Sequence, residues 1–133
     1  MTEKIFPADV DALYDVTGFL EELLEEYDIP VKTMMHINLC IEELFVNVAN
    51  YAYDGKEGTV RIAAEADENG LTVTLADSGK PFDPRGAKDP DIALPAKDSS
   101  IGGYGIFLVK KLTDEFAYER TEKENITTMK INY

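Results

Sequence analysis

In the stretch Cys40-Ile41-Glu42-Glu43-Leu44-Phe45-Val46-Asn47-Val48-Ala49-Asn50-Tyr51-Ala52-Tyr53, a carboxylate and two amides stand among residues that a core would accept. A helix advancing about 100° per residue gathers Glu43, Asn47 and Asn50 on one side, and Ile37, Ile41, Leu44, Phe45, Val48 and Ala52 on another. Polar stripes on helices ordinarily face water. Asparagine is a poor helix former, however, and two of them beside an apolar run point to amides kept for a ligand or a metal. A carboxylate one turn before an amide oxygen sets a general base beside a hard-cation ligand. Mg²⁺ suits such a place, because it takes few protein oxygens and completes its shell with phosphates and water.

Two further groups carry chemical character. Asp77-Ser78-Gly79-Lys80-Pro81-Phe82 breaks from a β-rich run into turn residues, so Asp77 stands at a strand end. There it either closes a turn or accepts the exocyclic amine of a base, with Gly79 letting a ligand approach the backbone. Gly102-Gly103-Tyr104-Gly105 ends a glycine-, proline- and aspartate-rich connection and opens a helical pattern at Ile106. Unpaired N–H groups and partial positive charge at a helix start make an anion site, although loop ends also collect glycine. The spacing matches neither a P-loop nor a dinucleotide fingerprint.

The elements that position these groups are legible from periodicity. Residues 3–7 alternate weakly as a short strand. Val10, Leu13, Tyr14, Phe19, Leu20, Leu23 and Leu24 recur at helical steps within residues 8–27, and Pro30 starts a second helix running to about Tyr53. Asp54-Gly55 and Gly58 then signal a turn. Residues 59–66 and 71–77 read as antiparallel strands joined by Glu68-Asn69-Gly70. The connection over 83–101 is too long for a plain loop in a small domain and is a candidate lid. A third helix over 106–112 and strands over 116–120 and 126–133 close the chain. The fold class is α+β, a two-layer sandwich of helices on one face of a mixed, mostly antiparallel sheet, in one domain spanning 1–133.

Composition narrows the function classes. The chain has 44% hydrophobic and 29% charged residues, a globular balance. Its net charge of −13 disfavours nucleic acid and anionic membranes as partners. A lone cysteine, Cys40, excludes an internal disulfide; with no leader-like or membrane-spanning run, the expected location is cytoplasmic.

Taken together and in this order, the three groups resemble the GHKL ATPases, the Bergerat-fold group that includes gyrase B, histidine kinases and anti-sigma-factor serine kinases. Glu43-x-x-x-Asn47 resembles the N-box, Asp77-x-Gly79 the first glycine box and Gly103-x-Gly105 the second. The run Ile101-Gly102-Gly103-Tyr104-Gly105-Ile106-Phe107-Leu108-Val109 is most similar to the anti-sigma-factor kinase branch. The resemblance implies ATP and Mg²⁺ as ligands. It makes Glu43 the general base, Asn47 the Mg²⁺ ligand, Asp77 the reader of the adenine amine, and Gly103 and Gly105 the phosphate amides. Tyr51 stands where the family often carries His, leaving neighbouring Asn50 as the substitute phosphate contact, and Pro81 replaces the glycine closing the first box. A family threonine that reaches phosphate corresponds to Thr127 or Thr128, with Thr128 taken as the candidate, although the glycine expected before it is absent. His36 receives no role.

The implied function is a serine/threonine protein kinase that binds a sigma factor and phosphorylates an antagonist of the anti-anti-sigma type. A homodimer built partly from the N-terminal strand and helix also suits the resemblance. Two alternatives are an ATP-gated protein-binding module without phosphotransfer, and an acidic interaction domain that binds no nucleotide.

Overall fold

The computed structural model describes residues 1–83 and 101–133, the first four residues of the latter segment as helical backbone only. Strand β1 (Thr2–Pro7) leads through a 3-10 turn (Val10–Ala12) into helix α1 (Leu13–Leu24). Asp9 caps that turn, its carboxylate accepting the Asp11 amide at 2.9 Å. Helix α2 (Val31–Asn47) starts behind Pro30, whose carbonyl accepts the Met34 amide at 3.0 Å. Proline suits this position because it lacks a donor where a helix start has no acceptor to offer.

The end of α2 departs from the expected plain helix. Val48–Ala52 form a π turn, and the chain then reverses through Asp54 (φ 51°) and Gly55 (φ 81°). Strands β2 (Thr59–Ala66) and β3 (Gly70–Asp77) follow as the expected hairpin. Asp67 makes its turn: Oδ1 accepts the amides of Asn69 at 2.7 Å and Gly70 at 2.9 Å, which holds the carboxyl below its ordinary pKa. Helix α3 spans Ile101–Leu112, and strands β4 (Glu115–Arg120) and β5 (Asn125–Asn132) complete the sheet. Apart from its two ends, the expected lid over 83–101 lies outside the described residues.

Among the described residues the sheet has five strands in the order β1-β2-β3-β5-β4, every pairing antiparallel. The expected mixed character is therefore absent from these pairings, while the two-layer α+β architecture stands. Alternation selects the covered face: Val60, Ile62, Leu71, Val73, Leu75, Met129 and Ile131 meet Ile37, Cys40, Ile41, Leu44 and Phe45 of α2. Val16, Leu20 and Leu24 bring α1 into the same core, and Ile106 and Val109 bring α3. Burying side chains of this size stabilises the fold by about 1.5–3 kcal/mol each before entropy is subtracted, so the layer under α2 anchors the polar groups at its end.

Candidate functional site

Where α2 leaves the sheet, a small, partly open pocket remains between α2 and the ends of β3 and β5. Leu44, Val48, Ala52 and Leu75 give it apolar walls, Phe82 sits at its side, and Asn47, Asp77, Asn125 and Thr127 supply the polar groups. Apolar walls with a few convergent polar groups suit a small planar ligand.

Asn47 and Asp77 are both nearly buried, at 9% and 5% exposure. The Asn47 amide makes no hydrogen bond to any described residue. That amide opens onto the pocket rather than being sealed in the core, so a ligand or cation there would complete its set. Oδ1 of Asp77 accepts the Gly79 amide at 3.0 Å and Asn125 Nδ2 at 2.9 Å, whereas Oδ2 has no donor among the described residues. One acceptor oxygen thus remains for a base amine. No group of three or more His, Cys, Asp or Glu side chains among the described residues could hold a metal ion unaided. An amide oxygen completed by phosphates and water fits Mg²⁺, which needs few protein ligands.

Glu43 stands one turn before Asn47, half-buried and outside the pocket lining, toward α3. A Cβ on Gly105 would lie 2.0 Å from Glu43 Oε2 and 2.7 Å from its Cδ, so the absent side chain is what lets α3 pass the carboxylate. Burial, assisted by the neighbouring Glu42 charge, pushes the Glu43 carboxyl above its ordinary pKa. A more basic carboxylate is better suited to accepting a proton near neutral pH. The same burial, with the Glu43 charge beside it, raises the enclosed Cys40 thiol to about 11.

Several expected site residues fall elsewhere. Asn50 is exposed and lines a separate groove with Pro7, Asp9 and Lys56, away from Asn47. The π turn is the cause: i→i+5 bonding widens the helix after Asn47 and breaks the 100° spacing on which the polar stripe depended. Thr128 faces the uncovered side of the sheet, its hydroxyl 3.4 Å from that of Thr74, while Thr127 occupies the pocket. Gly103 and Gly105 do not precede the helix but lie within α3, which begins about five residues earlier than the sequence pattern predicts. Gly79 has a different neighbour from the one expected. A Cβ there would lie 2.2 Å from the Ala52 carbonyl oxygen, so its smallness serves contact with the end of the π turn rather than with a ligand. Lys80 N donates to that same carbonyl at 2.8 Å, and Lys80 Nζ meets Asp54 Oδ1 at 2.6 Å. Tyr51, in the place of the family histidine, stacks on Phe82 with ring centroids 6.1 Å apart.

Asn125 was not foreseen. Its one sequence signal is an amide, a weak strand former, on the inward alternation shared with Thr127, Met129 and Ile131. At 3% exposure it joins β5 to the loop after β3. Nδ2 donates to Asp77 Oδ1 at 2.9 Å and to the Lys80 carbonyl at 2.8 Å; Oδ1 accepts from Phe82 N at 3.2 Å and from Tyr118 Oη at 2.5 Å. Arg120 Nη1 adds a bond to the Gly79 carbonyl at 2.9 Å.

Comparisons with known proteins bear on the family and the fold. The profile of the histidine kinase-like ATPase domain matches residues 6–131. The serine/threonine-protein kinase BtrW of Bordetella bronchiseptica is 24% identical over 120 residues, covering 90% of this chain and 82% of that protein. The serine-protein kinase RsbW of Listeria monocytogenes is 29% identical over 103 residues, covering 74% and 59% respectively. RsbW of Halalkalibacterium halodurans is 28% identical over 104 residues, covering 75% and 61%. Matches to RsbW proteins thus span about three fifths of their length. Two solved structures share the fold. A histidine kinase domain from the blue-light activated kinase of Erythrobacter litoralis has a TM-score of 0.54 at 20% identity, covering 95% of this chain and 61% of that one. The catalytic domain of the histidine kinase ThkA has 0.52 at 14% identity, covering 99% and 96%.

Proposed function

Since the chain belongs to the histidine kinase-like ATPase domain family, we propose that its pocket binds ATP with Mg²⁺ and that the protein is a serine/threonine kinase. Its substrate in this reading is an antagonist protein of the anti-anti-sigma type, and its regulatory target is a sigma factor. One observation carries the nucleotide site: the Asn47 amide and Asp77 Oδ2, neither hydrogen-bonded among the described residues, line one apolar-walled pocket at the end of α2. Relatives named as serine or serine/threonine kinases support the activity.

Asp77 Oδ2 accepts the amine of adenine, while Leu44, Val48 and Leu75 exclude water from the ring. Asn47 holds the cation, which when bound neutralises phosphate charge. The free backbone amides of the first turn of α3, where Gly103 lies, serve the phosphates, whereas Gly105 stands past that turn and gives Glu43 room. Glu43 takes the proton from the attacking Ser or Thr hydroxyl, its raised pKa matching that role. Phosphoryl transfer depends mainly on positioning and charge stabilisation, so loss of Asn47 costs as much as loss of the base. A net charge of −13 favours basic partner surfaces for both proteins, and a homodimer involving β1 and α1 completes the reading.

Incubation with radiolabelled ATP, Mg²⁺ and candidate antagonist proteins of the anti-anti-sigma type tests the kinase assignment. Phosphoserine or phosphothreonine that disappears in Glu43→Gln and Asn47→Ala is the expected result; no label on any cognate antagonist would remove it. A second reading, an ATP-gated binding module, draws on the contact between Glu43 and Gly105, which sets the carboxylate against α3 outside the pocket lining. ATP-dependent partner binding that survives Glu43→Ala, without phosphotransfer in either form, would select it.

A further inference from the structure

The four hydrogen bonds of Asn125 settle which way its amide points. Phe82 N can only donate and the Lys80 carbonyl can only accept, so Oδ1 faces the first and Nδ2 the second. With the amide locked in this sense, its other Nδ2 hydrogen meets Asp77 Oδ1 at 2.9 Å, where the Gly79 amide already donates at 3.0 Å. A carboxylate oxygen offers about two lone-pair sites, so Oδ1 is full while Oδ2 is free of donors among the described residues. Tyr118, its hydroxyl 2.5 Å from Asn125 Oδ1, holds the amide from the other side. Asp77 and Asn125 are 48 residues apart, yet the β3–β5 register places them opposite each other.

The two purines differ in what they show a carboxylate. Adenine presents one exocyclic donor, N6–H, next to an acceptor. Guanine presents two parallel donors, N1–H and N2–H, which grip a carboxylate only when both its oxygens are available. We propose that Asn125 is a positioning residue for base selection: by filling Oδ1 of Asp77 it leaves a single acceptor that serves adenine and denies guanine its two-donor pairing. The selectivity rests on the pocket being a nucleotide site, as read above. It differs from that reading in assigning rejection of guanine to a side chain whose amide is already spent on Asp77, Lys80, Phe82 and Tyr118.

Titrations of fluorescent ATP and GTP analogues with Mg²⁺ into wild type, Asn125→Ala and Tyr118→Phe provide the test. Wild type should prefer ATP. In Asn125→Ala the ATP preference should fall by about tenfold, through weaker ATP and equal or tighter GTP binding, the loss expected when one charge-assisted hydrogen bond no longer orients the carboxylate. Tyr118→Phe keeps both Nδ2 bonds and should lower the preference by about two- to threefold. It also decides the matter if Asn125→Ala does not fold. Exchange of the Gly79 and Phe82 amide hydrogens, followed without nucleotide, should quicken in Asn125→Ala, because both lie in the network it anchors. An unchanged ATP-to-GTP ratio in folded variants overturns the proposal while leaving the ATP site intact. Failure of wild type to bind either nucleotide overturns the ATP site and the selectivity with it.

Discussion

Gly79→Ala isolates the contact between the loop after β3 and the end of the π turn. The added methyl would sit 2.2 Å from the Ala52 carbonyl oxygen, 2.6 Å from its carbon and 2.7 Å from the Ala52 Cβ, and two of these are backbone atoms that no rotamer change can move. Ordinary contact begins at 3.4 Å, so the loop must retreat by about 1.2 Å. Such a shift stretches Lys80 N to Ala52 O (2.8 Å), Gly79 N to Asp77 Oδ1 (3.0 Å) and Arg120 Nη1 to Gly79 O (2.9 Å). Losing two of these at about 1 kcal/mol each, together with residual overpacking of about 1 kcal/mol, gives roughly 3 kcal/mol. With an unfolding entropy of about 2.1 cal/mol/K per residue, a chain of this length should melt about 10 °C lower. Circular dichroism melts read the loss, and the Asp77 shift should weaken ATP binding in the same preparation. Gly18→Ala is the control, because α1 leaves nothing within 4 Å of a Cβ there. It should gain up to about 1 kcal/mol from helix propensity. A Gly79→Ala melt within 2 °C of wild type, or one matched by Gly18→Ala, would show that the close approach to Ala52 does not constrain the loop.

Glu43→Gln should lower phosphotransfer by about 100-fold or more while leaving ATP affinity close to wild type. Because burial raises the Glu43 pKa, the stability tied to its protonated form is present below the ordinary carboxylate range and is lost as pH rises through the folded-state value. Melts of Glu43→Gln should therefore equal or exceed wild type at pH 7 and converge with it near pH 4; a lower melt at pH 7 would contradict the assigned desolvation. Cys40, buried and raised to about 11, should label with thiol reagents at pH 8 only after unfolding by denaturant, and prompt native labelling would refute its enclosure. Thr127→Val should weaken ATP binding by about threefold to tenfold, whereas Thr128→Val should leave it unchanged. The reverse ranking in isothermal titration would place the covered face of β5 on the other side of the sheet.

Local signals carried much of the architecture. Helical steps of three and four placed α1 and α2, alternation placed β2 and β3, and Pro30 and Asn69-Gly70 marked where elements begin or turn. These features act between neighbours in the chain, so propensity and patterning express them before any distant contact forms. The pairing of Glu43 with Asn47 was equally legible, since one turn of helix separates them whatever lies around it.

Features that depended on distant neighbours were not legible. Asn50 left the polar stripe because a π turn over Val48–Ala52 replaced α geometry, and the Asp54-Gly55 reversal with the Lys80 bond to Ala52 O belongs to that same corner. Thr127 and Thr128 are adjacent and chemically identical, and only the register of β5 against β3 decides which faces the pocket. Gly79 and Gly105 were recognisable as glycines that something approaches, but their partners, Ala52 and Glu43, come from a different part of the chain. Asn125 meets Asp77 only when β5 pairs beside β3. The sequence by itself thus determined the elements and the ligand-type side chains, because short-range sterics and hydrophobic periodicity act locally. Which oxygen of Asp77 is occupied, and which threonine and asparagine share its pocket, were decided by long-range strand register and helix packing, where a one-residue slip turns a side chain to the opposite face.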